Sequence, residues 1–158
     1  MNKITISLDE STKSTGYAIF ENEKLIDYGA IVEKSKDVLE RVDNIIVAVE
    51  KLINKYKPDN LIIEDVRITM SASVARALMG LQFMLELLAY RNNIKCVSIR
   101  TTHWRKTLGL SNSPKINRAE KKQQAKDYVI QKYGIKEDID DITDAICIGA
   151  SFLVENKT

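Results

Sequence analysis

A mixed α/β sheet with helices on both of its faces is the architecture that this sequence predicts. Three observations point to it. Residues 4 to 33 divide into three short β-rich runs joined by polar turns; from residue 35 the apolar period lengthens to that of a helix; and two further short apolar runs then alternate with helical stretches. The 158 residues and 44% hydrophobic content suit one domain, residues 1–158, with a substantial buried core.

The elements follow in order. Ile4 to Leu8 is an apolar strand running into Asp9 and a polar turn, Glu10-Ser11-Thr12-Lys13-Ser14. Tyr17 to Phe20 is the second strand and Lys24 to Glu33 the third, completing an antiparallel meander. Val38, Leu39, Val42, Ile45, Ile46, Val49, Leu52 and Ile53 keep helical spacing, with Ser35 as the N-cap and Pro58 ending the run. Asn60 to Val66 is a buried-type strand, Ser71 to Asn92 a helix apolar nearly all round, Ile94 to Arg100 a strand and Thr101 to Leu108 a short helix. Two helices, at about 118 to 133 and about 138 to 155, finish the chain on either side of Gly134. Five strands result, the meander plus two.

The formal net charge of +2 conceals a division along the chain. Residues 91 to 136 carry twelve Lys and Arg against only Glu120 and Asp127, while acids outnumber bases elsewhere. A basic stretch is either a solvated helix or the footprint of a polyanion. Cys96 and Cys147 lie in apolar runs without metal-ligand or disulfide spacing. No apolar stretch of signal-peptide length opens the chain, and no unbroken apolar run approaches the roughly 20 residues of a membrane span. A soluble cytoplasmic protein without membrane contact is expected.

Chemistry is suggested by acids in apolar company. Asp9 ends an apolar strand, where it is a turn-capping residue or a functional one. Glu64 and Asp65 end another, and strand alternation lets only one of them face a given side, without local pattern choosing which. In the last helix, about 100° per residue places Asp141 inside the apolar arc and Asp144 on its edge, while Asp140 turns to the polar side with Cys147 and Ser151. The helix dipole favours acids near an N-terminus, but does not explain their apolar direction. Carboxylates converging from two strand ends and a helix suit hard divalent cations, Mg²⁺ or Mn²⁺. His103 is the only histidine, so no zinc cluster is expected.

At these residues the sequence resembles the RuvC-type Holliday junction resolvases, nucleases of the RNase H-like, retroviral integrase superfamily. SLDESTKSTGYAIF resembles the first strand and hairpin with its acid, Asp9. LIIEDV and the apolar helix after it resemble the second block, which selects Glu64. DDITDAICIG resembles the terminal D-x-x-D-A block, giving Asp141 and Asp144, and RAEKKQQ matches the basic helix start, with Lys121 at the position of the active-site lysine. The likeness implies an RNase H-like fold and endonucleolytic resolution of Holliday junctions and other branched DNA by two-metal hydrolysis. Asp9, Glu64, Asp141 and Asp144 would hold two Mg²⁺, for which Mn²⁺ can substitute, with Lys121 beside the phosphate. Arg67, Arg105, Lys106, Lys115, Arg118 and Lys122 would contact DNA. It also implies a twofold homodimer, for which the Ser71 to Asn92 helix is either the interface or a core helix.

Two positions depart from the family pattern. Glu10-Ser11 stands where the family has Pro-Gly, and Arg67 where bacterial members have a Phe that acts at the junction point. A cation there exchanges an aromatic reader of junction shape for general phosphate affinity, so forks and flaps are expected among the substrates. The competing readings are a non-catalytic branched-DNA-binding module of the same fold and an actin-like or sugar-kinase phosphate-binding domain. The latter needs a second domain to close over its nucleotide.

Overall fold

The structure, a computed structural model, describes residues 1–65 and 71–157. Strands β1 (Ile4–Asp9), β2 (Ser14–Glu21) and β3 (Lys24–Val32) form the antiparallel meander, and helix α1 (Val38–Tyr56) crosses to β4 (Asn60–Glu64). Helix α2 (Ala72–Arg91), strand β5 (Lys95–Ile99) and helices α3 (Thr101–Thr107), α4 (Arg118–Tyr133) and α5 (Asp140–Glu155) follow. The sheet order is β3-β2-β1-β4-β5, with β1 antiparallel to β2 and parallel to β4, and β4 parallel to β5. This is the mixed five-stranded, RNase H-like sheet with helices on both faces.

Strand alternation divides the core into two layers. Ile6, Leu8, Leu61 and Ile63 pack beneath α1 and α2, against Val42, Ile45, Val49, Leu81 and Leu85. On the opposite face Ala18, Phe20 and Ile62 meet Trp104 of α3, Ala125 and Val129 of α4, and Ile142, Ala145 and Ile146 of α5. Thr5, Ser7 and Asp9 therefore point towards α5. Ser7 donates a hydrogen bond from its hydroxyl to the carbonyl of Ala145 at 2.7 Å.

Helix α5 lies close to the sheet because the facing positions are small. A Cβ on Gly149 would stand 2.3 Å from the Phe20 ring, and one on Gly16 would stand 1.9 Å from the carbonyl oxygen of Asp141. Enclosed by the sheet, α3 and α4, the middle of α5 is buried all round, including Cys147 and Ser151. The polar side expected for those two residues is therefore corrected: a wheel describes a helix with one wet face, and α5 has helices where that face would be.

The α1 N-cap is Asp37, not Ser35. The Asp37 carboxylate accepts from the Leu39 and Glu40 amides, while the Ser35 hydroxyl donates to the Glu40 carboxylate. Lys57, in the left-handed region, ends the helix before Pro58. Asn117 and Glu120 form a capping box at the start of α4, and left-handed Gly134 closes it. The reading of apolar length also needs correction at α2. By length and composition alone its 20 residues are apolar enough to cross a membrane, since Arg76, Gln82 and Glu86 are spaced out among them.

Gly16→Ala should leave the two apolar layers intact but push the first turn of α5 off the sheet, lowering stability by roughly 1 to 3 kcal/mol. Urea denaturation, with the near-ultraviolet signal of buried Trp104 as a second probe, reads the loss.

Candidate active site

The register of the sheet selects the strand acids. The β1–β4 ladder runs to Leu8 opposite Ile63, both in the α1/α2 layer, so the next residues, Asp9 and Glu64, lie side by side on the α5 face. Asp65 turns away: its amide donates to Ile99 and its carboxylate pairs with Arg100 at 3.3 Å. One oxygen of Glu64 accepts from the Thr101 hydroxyl at 2.8 Å and from the Trp104 indole N–H at 2.9 Å. Both donors sit on α3, and Trp104 is fully buried, so a core residue holds the carboxylate in place.

Asp141 and Asp144, on the first turns of α5, complete an acidic group. Burial pushes the Asp9 carboxyl well above the usual carboxylate range, and the neighbouring Glu64, Asp144, Asp141 and Glu10 push it further. Burial, then Glu64, lifts Asp144 to about 7, with Lys122 and Arg105 acting in the opposite sense. Burial also lifts Glu10 to about 8, against the backbone hydrogen bonds it accepts.

Among the described residues, no three acidic, histidine or cysteine side chains already converge on one metal position. Like charges repel, and a divalent cation would offset that repulsion. The donor set nonetheless fits a hard divalent ion: it is all oxygen, it is partly desolvated, and the sole histidine lies elsewhere, bonded to Glu155 at 2.7 Å.

The basic residues expected at the site separate into different roles. Lys121 lines the same cleft as the four acids, and Arg118 is exposed at its edge. Lys106 and Lys115 are exposed as well. Lys122 lines the cleft too and pairs with Asp140, which Lys126 also reaches at 3.1 Å. Against the effect of burial, the hydrogen bonds from these two lysines hold Asp140 below the usual carboxylate range. Arg105 lines the cleft as well, with its guanidinium held by the protein. It is 4% exposed, and its guanidinium donates to the carbonyls of Ser111 and Lys121 and to the Gln124 side chain, at 2.7 to 3.1 Å. It therefore braces α3, the following loop and α4 along the wall of the cleft. Arg67 lies outside the described residues.

The cleft encloses about 730 Å³ and continues over the sheet end to Lys13, Arg41, Val74 and Leu78. Lys13 and Arg41 fall outside the basic stretch of the sequence, and only the fold brings them to this opening. Arg41 ties Thr12 to the approach of α1 through the carbonyls of Thr12, Ser35 and Lys36. The sequence carried no signal for Thr101 and Trp104 as anchors of Glu64 either, because neither type is chemically marked for the task.

A family model described as crossover junction endodeoxyribonuclease RuvC matches residues 5–151. The chain belongs to the RuvC family. Its function is accordingly that of a Holliday-junction-resolving endonuclease. A crossover junction endodeoxyribonuclease RuvC of Fusobacterium nucleatum subsp. nucleatum is 30% identical over 152 residues, which cover 90% of this chain and 76% of the relative. Among solved structures, Thermus thermophilus RuvC in complex with a Holliday junction substrate superposes with a TM-score of 0.80 at 13% identity, over 96% of this chain and 93% of that one. The fowlpox virus resolvase bound to Holliday junction DNA gives 0.68 at 21% identity, over 98% and 99%. At those identities the structural matches speak for the fold, and the family match for the activity.

The bracing role of Arg105 separates it from its neighbour. Arg105→Ala should lower stability by roughly 1 to 3 kcal/mol through unsatisfied buried acceptors, with little change in the salt dependence of junction binding. Lys106→Ala should leave stability unchanged and reduce the slope of log affinity against log salt by about 1. Thermal melts and binding titrations at several salt concentrations distinguish the two.

Proposed function

We propose that this RuvC-family endonuclease resolves four-way DNA junctions as a Mg²⁺-dependent homodimer, each protomer a single domain over residues 1–158. Asp9, Glu64, Asp141 and Asp144 would hold two Mg²⁺ ions, or Mn²⁺ in their place. The observation that carries this reading is the carboxylate group at the end of β1, desolvated and mutually repelling, in a cleft with Lys121. The bound ions would supply an activated water and a Lewis acid for the departing 3′ oxygen.

This chain's own residues do the rest. The indole of Trp104 and the hydroxyl of Thr101 orient Glu64 through one oxygen. Lys121 faces the charge that develops on the phosphate, and the Arg105 bond to its carbonyl steadies the turn that bears it. Lys106, Lys115 and Arg118 take the DNA backbone by sequence-independent contacts. Lys122 contributes chiefly by holding Asp140, and so the start of α5, in register with α4.

Two strands must be cut at a junction, which calls for two sites related by a dyad. Helix α2 supplies the surface for it. Only Ala75, Leu81, Leu85 and Ala89 are buried, whereas Met79, Phe83, Leu87 and Tyr90 form an exposed apolar stripe, Phe83 at 68% and Tyr90 at 80% exposure. Gly80, with open space where its side chain would be, lies along the same stripe. Pairing of this stripe about a dyad gives α2 an apolar partner without a bilayer, and we take the protein to act in the cytoplasm. With Arg67 standing in the sequence where bacterial members have a Phe, forks and flaps complete the substrate range.

Asp9→Asn, Glu64→Gln and Asp144→Asn should each cut junction cleavage by more than the roughly 100-fold that loss of an outer-sphere partner costs. Junction binding in EDTA should stay within about twofold, because backbone contacts dominate it. Labelled four-way junctions incubated with Mg²⁺ or EDTA test both, and near-normal cutting by any variant removes that residue from the site. Phe83→Glu should convert dimer to monomer in sedimentation velocity and leave nicked junctions in place of resolved products. A variant that remains dimeric assigns the contact to another surface.

A further inference from the structure

We propose that Glu10 is a positioning residue that sets the spacing between Asp9 and Glu64. The inference rests on the reading of those two acids as cation ligands. The parallel backbone ladder of β1 and β4 ends at Leu8 opposite Ile63. At this last rung the Glu10 side chain also reaches β4, its carboxylate accepting the Glu64 N–H at 3.1 Å. Glu10 follows Asp9 directly, so one covalent step and one hydrogen bond join the residue that bears one ligand to the residue that bears the other.

The turn beyond Glu10 is fixed from its other side. The Thr15 hydroxyl accepts from the Ser11 amide at 3.2 Å and donates to the Ser11 carbonyl at 2.8 Å. With the turn held, the length of the Glu10 side chain determines where the end of β4 sits relative to β1. The side chain is 8% exposed, and its second oxygen has no hydrogen-bond partner among the described residues. A carboxylate is an unfavourable group to bury, and an apolar residue would fill the same volume at lower cost. What the carboxylate adds is a side-chain acceptor for the Glu64 amide at the last rung of the β1–β4 ladder.

The test uses Glu10→Leu, which keeps the volume and removes the acceptor, and Glu10→Gln, whose amide oxygen can take the same N–H. Mn²⁺ binding to the DNA-free protein is measured by electron paramagnetic resonance, junction binding in EDTA, and cleavage as a function of Mn²⁺ concentration. Glu10→Leu should weaken Mn²⁺ binding by roughly 10- to 100-fold, with an equal rise in half-saturating Mn²⁺ for cleavage, while junction affinity in EDTA stays within about twofold. Glu10→Gln should restore Mn²⁺ binding to within about threefold of the wild type. Wild-type Mn²⁺ binding by Glu10→Leu, or a loss in Glu10→Gln as large as in Glu10→Leu, overturns the proposal. Glu10→Met repeats the apolar arm with a more adaptable side chain, and failure of both apolar variants to fold assigns Glu10 a purely structural role. Asp9→Asn is titrated alongside: unaltered Mn²⁺ binding there overturns the ligand reading itself, whereas unaltered binding in Glu10→Leu alone overturns only this inference.

Discussion

The carbonyl of Asp141 occupies the space where any side chain at residue 16 would stand, and the arrangement of the site depends on that approach. Because β2 offers a glycine there, and β1 a serine that bonds Ala145, the first turns of α5 lie directly on the sheet. Asp9 is the register partner of Gly16, so the same close approach brings Asp141 and Asp144 over the end of β1. Helix α4 is carried along, fastened to the start of α5 by the pairs from Lys122 and Lys126 to Asp140. The basic wall of the cleft is thereby set by the helix that delivers the acids.

What this packing assembles is unfavourable in itself. Desolvation and like charge act together on Asp9, and Asp144 is lifted to about 7 by the same two causes. A core under pressure for stability alone has no use for such a group, and the fold meets the cost with hydrophobic layers on both faces of the sheet. The strain is of the kind that a multivalent cation relieves, so under the proposed two-metal reading a bound ion would also stabilise the folded chain.

Cations are distributed unevenly between structure and surface. Arg105, Arg41 and Lys122 are held by protein acceptors, where they brace loops and helix starts around the opening. Lys106, Lys115 and Arg118 stay exposed. Lys13 and Arg41 extend the opening to the side of the sheet that carries α1 and α2, so the basic rim is not confined to the stretch that is basic in the sequence.

Sequence alone was enough for the order of elements and the faces of the sheet, because strand and helix periods are local and the apolar residues follow them closely. It was also enough to mark Asp9, Asp141 and Asp144, since a carboxylate in an apolar run is conspicuous wherever it points. Between Glu64 and Asp65 local pattern was neutral, Ile62 and Ile63 making both faces apolar; the β1–β4 register decided, by setting Glu64 beside Asp9. The polar side assigned to α5 failed because burial depends on what covers a helix, and α3 and α4 come from elsewhere in the chain. The bracing role of Arg105 left no signal for the same reason, as a guanidinium has the same charge whether it meets a phosphate or three protein acceptors. Only tertiary structure decides which of these partners it has, because hydrogen bonds between residues distant in sequence leave no trace in the spacing of either.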